Sequence, residues 1–477
     1  MAPSKGYRGQ RATPRRHAKA SIESVTGIEI ESLCPRGRSR GQKLVRAKVS
    51  DLTTNKRIKD LGLVSPCDST SVVIIGGGPS GATCAETLRS EGYNGRITVV
   101  SKENYLPYDR IKLSKLTTIT EIERLQIRNE EYYRNANIEF MKGVEATKVE
   151  PATRTVHLSN GSTVKYSSLY LATGSKARVP TVPGIDLQNI FTLRDYDDSV
   201  NIIATLGEEK DKNVVVLGMS FIGLETAASY VGKAKTLTVV GQDEAPLAKV
   251  FGTEIGQSLQ NLFMDKGVRF VFGTTIVKCN GENGAIKSVE LANGNALDAD
   301  MLILGVGTTL HTGFLRDSGV ALNENGAVAV NDKLESNVRH IFAGGDIAHA
   351  PVFAHDNEKM SIGHVGLAQY HGRIAALNIL KKEVPLRTVP FFWTMLFGKS
   401  IRYAGCGRHS SIQVVGDVGE LKFVIFFFNE SDKVIAVASC QRDPVVAQFA
   451  ELLAQGKSLY KKDLKDDPMA WIKMISP

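Results

Sequence analysis

Short runs of apolar residues, each closed by glycine or polar residues, set the pattern of this chain. Residues 72–75 (VVII) form one such run; GGGPSG follows, then ATCAETLRSEGY, which reads as a helix, and then a second run, RITVV. Strands buried on both faces appear as continuous apolar stretches rather than alternating ones, so this order predicts strand, tight turn, helix and strand of a parallel sheet. The same order returns over residues 214–244, VVVLGMSFIGLETAASYVGKAKTLTVVGQDE. Runs at 301–306 and 423–428 also suit buried strands. No apolar run reaches the roughly 18 to 20 residues of a membrane-spanning helix.

The first turn has glycine at all three positions of the dinucleotide fingerprint. Gly76 permits the turn, Gly78 allows close approach of a pyrophosphate, and Gly81 allows helix and strand to pack closely. Glu103, beyond the second strand, suits a carboxylate that accepts hydrogen bonds from ribose hydroxyls. The second turn has Gly218, Ser220 and Gly223 at the same positions. Ser220 either crowds a bound phosphate or donates a hydrogen bond to it. Gly241 occupies the ribose position there, followed by Gln242, Asp243 and Glu244, with no Arg or Lys to meet a 2′-phosphate. This favours NADH over NADPH, weakly, because the usual acid is displaced. Two such units on one chain predict that one holds FAD and the other delivers NADH or NADPH to it.

Length and composition add three constraints. A chain of 477 residues should hold about three domains. Its net charge of +9 is local: residues 1–50 contain 12 Lys or Arg against 3 Asp or Glu, and the remainder has 47 of each. The basic segment 1–70 reads as a solvated tail and linker, with a mitochondrial transit peptide as the alternative. No stable nucleic-acid binding is expected from charge without aromatic residues to stack on bases. The six cysteines form no CxxC or short paired spacing, which suits a reducing compartment, cytoplasmic or mitochondrial.

Four further stretches sharpen the picture: PYDRIKLSK at 107–115, YLATGS at 170–175, IFAGGDIA at 341–348 and VPFFWTMLFGKSIRYAG at 389–405. With the two fingerprints they resemble the pyridine nucleotide-disulphide reductase superfamily in its ferredoxin-reductase-like branch. Within it, the chain is similar to the apoptosis-inducing factor family, in the form that carries an N-terminal Rieske domain. The resemblance implies an α/β fold with two Rossmann-like domains, for FAD (71–180 and 313–385) and NAD (181–312), and a C-terminal α+β domain (388–477).

It also implies roles by position. Asp346, with Gly345 before it, would bind the ribityl chain; Arg110 and Lys115 would lie along the flavin, with Lys115 at its N5 edge. Thr173, Gly174 and Arg178 belong to the crossing segment. Glu225 would pair with Lys115, the alternative being two separate surface charges. Trp393 would cover the flavin or else serve in the core. His364 would lie at the nicotinamide end, where Val365 replaces an aromatic residue.

Between Cys84 and Cys279 there is no cysteine, so the redox dithiol of disulphide reductases is missing and electrons are expected to pass to an external acceptor, an iron–sulphur protein or a quinone. The Rieske ligands are also missing: residues 1–70 hold only His17, Cys34 and Cys67, at unsuitable spacing. Residues 43–61 resemble the last strand and linker after such a domain, so the chain is expected to lack the cluster-bearing part, and no metal ligands are assigned. Two functions compete: an FAD-dependent NAD(P)H oxidoreductase, with a homodimer as one option for its assembly, and an NADH-sensing interaction protein with slow turnover.

Overall fold

The computed structural model describes Ile22–Glu23, Glu29–Ile30 and residues 68–475. The chain divides into two units, 1–61 and 62–477. In the first, Ile22 and Glu23 pair antiparallel with Ile30 and Glu29. His17, Cys34, Cys67 and the 43–61 stretch lie outside the described residues.

Two five-stranded parallel sheets organise the second unit. The first has the order Ile341–Ala343, Ser168–Leu171, Ser71–Ile75, Arg96–Ser101, Ile138–Lys142. The second has the order Ile190–Thr192, Met301–Leu304, Asn213–Leu217, Thr236–Val240, Val268–Val271. In each, the run that precedes a glycine turn is central and buried, as its unbroken apolar sequence predicts. The fold is thus α/β with two dinucleotide-binding units.

The chain leaves the first sheet at Leu171 and returns to it only at Ile341. Its outgoing and returning segments pair antiparallel, Ser175–Ala177 against Thr308–Leu310. The Thr173 hydroxyl donates to the His311 carbonyl at 2.6 Å and the Arg178 amide to Gly307 O at 2.9 Å, so both crossings are held together beside the two glycine turns.

A third, antiparallel sheet follows, in the order Phe391–Leu396, Lys399–Gly405, Val434–Cys440, Lys422–Phe428, Ser411–Asp417. Both of its faces are covered, which explains the run FVIFFF. Phe423, Ile425 and Phe427 pack with Leu224, Ala227, Tyr230 and Phe263 of the second parallel unit. Val424, Phe426 and Phe428 face Val446, Phe449, Leu452 and Trp471. Alternate residues of one strand serve two cores. Among the described residues, no helix is long and apolar enough to cross a membrane.

Candidate functional site

At the first glycine turn the backbone itself selects glycine. Gly76 has φ +121°, and a Cβ there would lie 2.1 Å from the Ala172 carbonyl oxygen; one on Gly81 would lie 2.0 Å from Gly76 O. Gly78 differs: its backbone is ordinary, φ −83° and ψ −174°, and an added Cβ meets nothing within 4 Å. The helix Pro79–Ser90 starts there with no side-chain cap and no acid in its first turn. Its first N–H groups therefore face an open approach, which fits an FAD pyrophosphate.

The second turn repeats this geometry. Gly218 has φ +119°, and Cβ atoms on Gly218 and Gly223 would lie 2.3 Å from Gly305 O and 2.1 Å from Gly218 O. Ser220, with φ −88° and ψ −178°, has nearly the backbone of Gly78. The middle position thus tolerates a side chain sterically, and what Ser220 changes is the space in front of the helix Phe221–Tyr230. Its hydroxyl donates weakly to Gly305 O at 3.4 Å.

Two carboxylates flank the first dinucleotide unit; of the residues that hold them, Arg110 was named from the sequence, while Tyr108, Ser175 and Arg194 were not. Glu103 accepts the Tyr108 hydroxyl at 2.6 Å and pairs with Arg110, whose guanidinium also donates to the Arg194 carbonyl at 2.9 Å. Asp346 Oδ2 accepts the Ser175 hydroxyl at 2.7 Å and Arg194 Nη2 at 2.9 Å. Gly174, with φ +65°, lies against this pair: a Cβ on it would be 3.4 Å from Arg194 Nη2. The Gly345 amide donates to Nδ1 of the buried His371 at 3.2 Å, and burial depresses that ring's pKa to about 4.

Lys115 and Glu225 meet between the two dinucleotide-binding parts of residues 62–477. Lys115 closes the 3₁₀ turn Arg110–Lys115, and its ammonium lies 2.7 Å from Glu225 Oε2. The reading of two separate surface charges is excluded. Glu225, on the second fingerprint helix, is only 8% exposed and accepts two further hydrogen bonds, from the Ser114 hydroxyl at 2.5 Å and the Thr394 hydroxyl at 2.6 Å. Thr394 comes from the third sheet. One carboxylate is therefore held by residues from the other two parts of the fold, which offsets much of the cost of burying it.

Aromatic residues extend this junction. Phe392 stacks on Tyr403 with centroids 5.1 Å apart, and meets Phe221 edge-on at 5.1 Å and His364 at 6.0 Å. His364 caps the helix Val365–Ile379, its Nδ1 accepting the Gly366 amide at 3.2 Å, and burial lowers its pKa. Trp393 points the other way and is 55% exposed, which excludes the core role. Among the described residues the four cysteines are free, and burial pushes the Cys84 thiol far above its usual range.

Two glycine turns that open onto helix N-termini without side-chain caps, with a lysine–glutamate pair between them, form a protein built to bring two dinucleotides together. The family described as pyridine nucleotide-disulphide oxidoreductase matches residues 70–372, and the chain belongs to it. Apoptosis-inducing factor 3 of Homo sapiens is 37% identical over 441 residues, 90% of this chain and 72% of that protein. The ferredoxin–NAD(+) reductase subunit of the Pseudomonas putida benzene 1,2-dioxygenase system is 32% identical over 70% of this chain and 80% of its own length. A solved ferredoxin reductase of Rhodopseudomonas palustris superposes with a TM-score of 0.79 at 26% identity, covering 85% of this chain and all of that one. Putidaredoxin reductase, solved in covalent complex with putidaredoxin, gives 0.79 at 25% identity over 85% of this chain and 98% of that one. The chain is an FAD-dependent NAD(P)H oxidoreductase.

Proposed function

We propose that the first unit, residues 71–180 with 313–385, holds FAD, that residues 181–312 present NAD(P)H to it, and that residues 388–477 close the junction. Gly76, Gly78 and Gly81 would hold the FAD pyrophosphate, Glu103 the adenosine ribose, and Asp346, carried by Gly345, the ribityl chain. Arg110, Thr173, Gly174 and Arg178 would line the same cleft. Gly218, Ser220 and Gly223 would meet the dinucleotide phosphates, with His364 at the nicotinamide end and Trp393 covering the flavin. FAD bound in this way supplies acceptance of hydride from NAD(P)H and release of the electrons to an external acceptor.

The observation that carries this reading is the 2.7 Å contact of Lys115 with Glu225, which joins the two dinucleotide units. The ammonium would stabilise the negative charge that hydride brings, while Glu225 keeps the cation in place in a partly dry cleft. Relatives named as ferredoxin and rubredoxin reductases support an iron–sulphur protein as the acceptor. The cysteine pattern supports a reducing compartment, cytoplasmic or mitochondrial. The test is anaerobic stopped-flow mixing with NADH: bleaching of the flavin within seconds, then reoxidation by an added [2Fe–2S] ferredoxin, is expected. Bleaching over minutes would instead favour the NADH-sensing role.

A further inference from the structure

NADH and NADPH differ only at the adenosine ribose, where a carboxylate beyond the second strand favours the free hydroxyl and a cation favours the phosphate. In the second unit the strand Thr236–Val240 runs into Gly241, which offers no carboxylate. The Met219 methyl group lies 2.5 Å from where a Cβ on Gly241 would be, filling that place with an apolar side chain. The two acids further along the loop are already engaged. Asp243 Oδ1 lies 2.6 Å from Lys249 Nζ, and Glu244 Oε1 accepts the Thr253 hydroxyl at 2.6 Å. Gln242, between them and Gly241, is neutral and exposed.

Lys249 changes the reading of this loop. In sequence it lies eight residues past Gly241 and gives no sign of belonging to the ribose end. In the fold it sits on the short helix Ala248–Phe251, next after the loop, with a side chain 77% exposed. The pair is solvent-facing on the lysine side, while the Asp243 side chain is only 25% exposed, so the ammonium can meet a second anion without leaving Asp243. The loop thus has no carboxylate at the Gly241 position to reject a 2′-phosphate, and it has a cation beside Asp243 to receive one.

We propose that this unit accepts NADPH as well as NADH, with Lys249 as the residue that meets the 2′-phosphate. The inference rests on the reading that residues 181–312 bind the nicotinamide dinucleotide. It revises the weak preference for NADH taken from the residues next to Gly241.

The test uses the full FAD-loaded chain. Calorimetry would compare 5′-AMP with adenosine 2′,5′-bisphosphate at low and high salt, and anaerobic stopped-flow would compare flavin reduction by NADH and NADPH. The second-order reduction constants are expected to agree within about tenfold. The bisphosphate should bind more tightly than AMP, with an advantage that shrinks in salt. Lys249→Ala should shift the coenzyme ratio about tenfold toward NADH, whereas Asp243→Asn, which frees the lysine, should shift it toward NADPH. Opposite signs from neighbouring substitutions do not arise from general damage to the fold. A hundredfold preference for NADH, or a ratio that Lys249→Ala leaves unmoved, would overturn the proposal while leaving the reductase reading intact. If neither coenzyme binds or reduces the flavin, both fall.

Discussion

The Thr394 hydroxyl donates to Glu225 Oε1 at 2.6 Å, so a residue of the third sheet holds the carboxylate that also meets Lys115. A hydrogen bond to a buried charge contributes about 1.5 to 3 kcal/mol. Thr394→Val should therefore slow flavin reduction by NADH at least about tenfold while FAD stays bound, and Thr394→Ser should recover most of the rate. An unchanged rate in the valine variant would remove Thr394 from the reductive step.

Lys115→Ala leaves the first glycine turn untouched, so the protein should purify yellow. It also leaves Glu225 with two hydroxyl donors and no cation. Reduction should slow markedly. Equal stopped-flow traces for the variant and the parent protein would refute the assigned role.

Glu103→Ala should weaken FAD retention, and it also strips the little-exposed Arg110 guanidinium of its carboxylate. Part of the loss would then be structural, about 1 to 3 kcal/mol. Gel filtration followed by flavin absorbance measures retention, and apo-protein melting measures the structural part. A variant that stays fully yellow would count against the ribose assignment.

The turn glycines should respond differently to substitution. Gly76→Ala introduces a side chain at φ +121°, 2.1 Å from a carbonyl oxygen, and should cost at least about 3 kcal/mol or prevent folding. Gly78→Ser has ordinary backbone and open space, so melting of the apo-protein should hold while FAD affinity falls. Equal melting losses in both variants would contradict this division.

His371 sets an acid limit. Burial lowers its folded pKa from 6.5 to about 4, so the fold favours the neutral ring. This contribution is fully present above about pH 6.5 and is lost as pH falls toward 4, amounting to about 3 kcal/mol. Protonated Nδ1 could no longer accept the Gly345 amide, next to Asp346. FAD release and unfolding should both steepen between pH 6.5 and 4. A His371→Asn variant with the same acid profile as the parent would show that another group is responsible.

What the sequence revealed followed the reach of each signal. The glycine turns and the FVIFFF strand were legible because backbone conformation and two-sided burial act within a few residues. The Lys115–Glu225 contact, 110 positions apart, was legible only through resemblance to a family. Ser114, Arg194, Lys249 and Thr394 escaped notice because a hydroxyl or cation acquires its partner from tertiary folding, and nothing local distinguishes it from a solvated one. Trp393 shows the same limit: its aromatic neighbours in sequence were equally consistent with covering the flavin and with a place in the core.

The grip on Glu225 also bears on how such a chain can be inherited. Ser114 and Lys115 belong to one dinucleotide unit, the carboxylate to the other, and Thr394 to the third sheet. A nicotinamide unit exchanged from a distant relative could keep its own fold and its own ligand, yet arrive without an acid at this turn. The neighbours would then retain donors and a cation with nothing to receive them. These four positions should therefore travel through descent as a linked set.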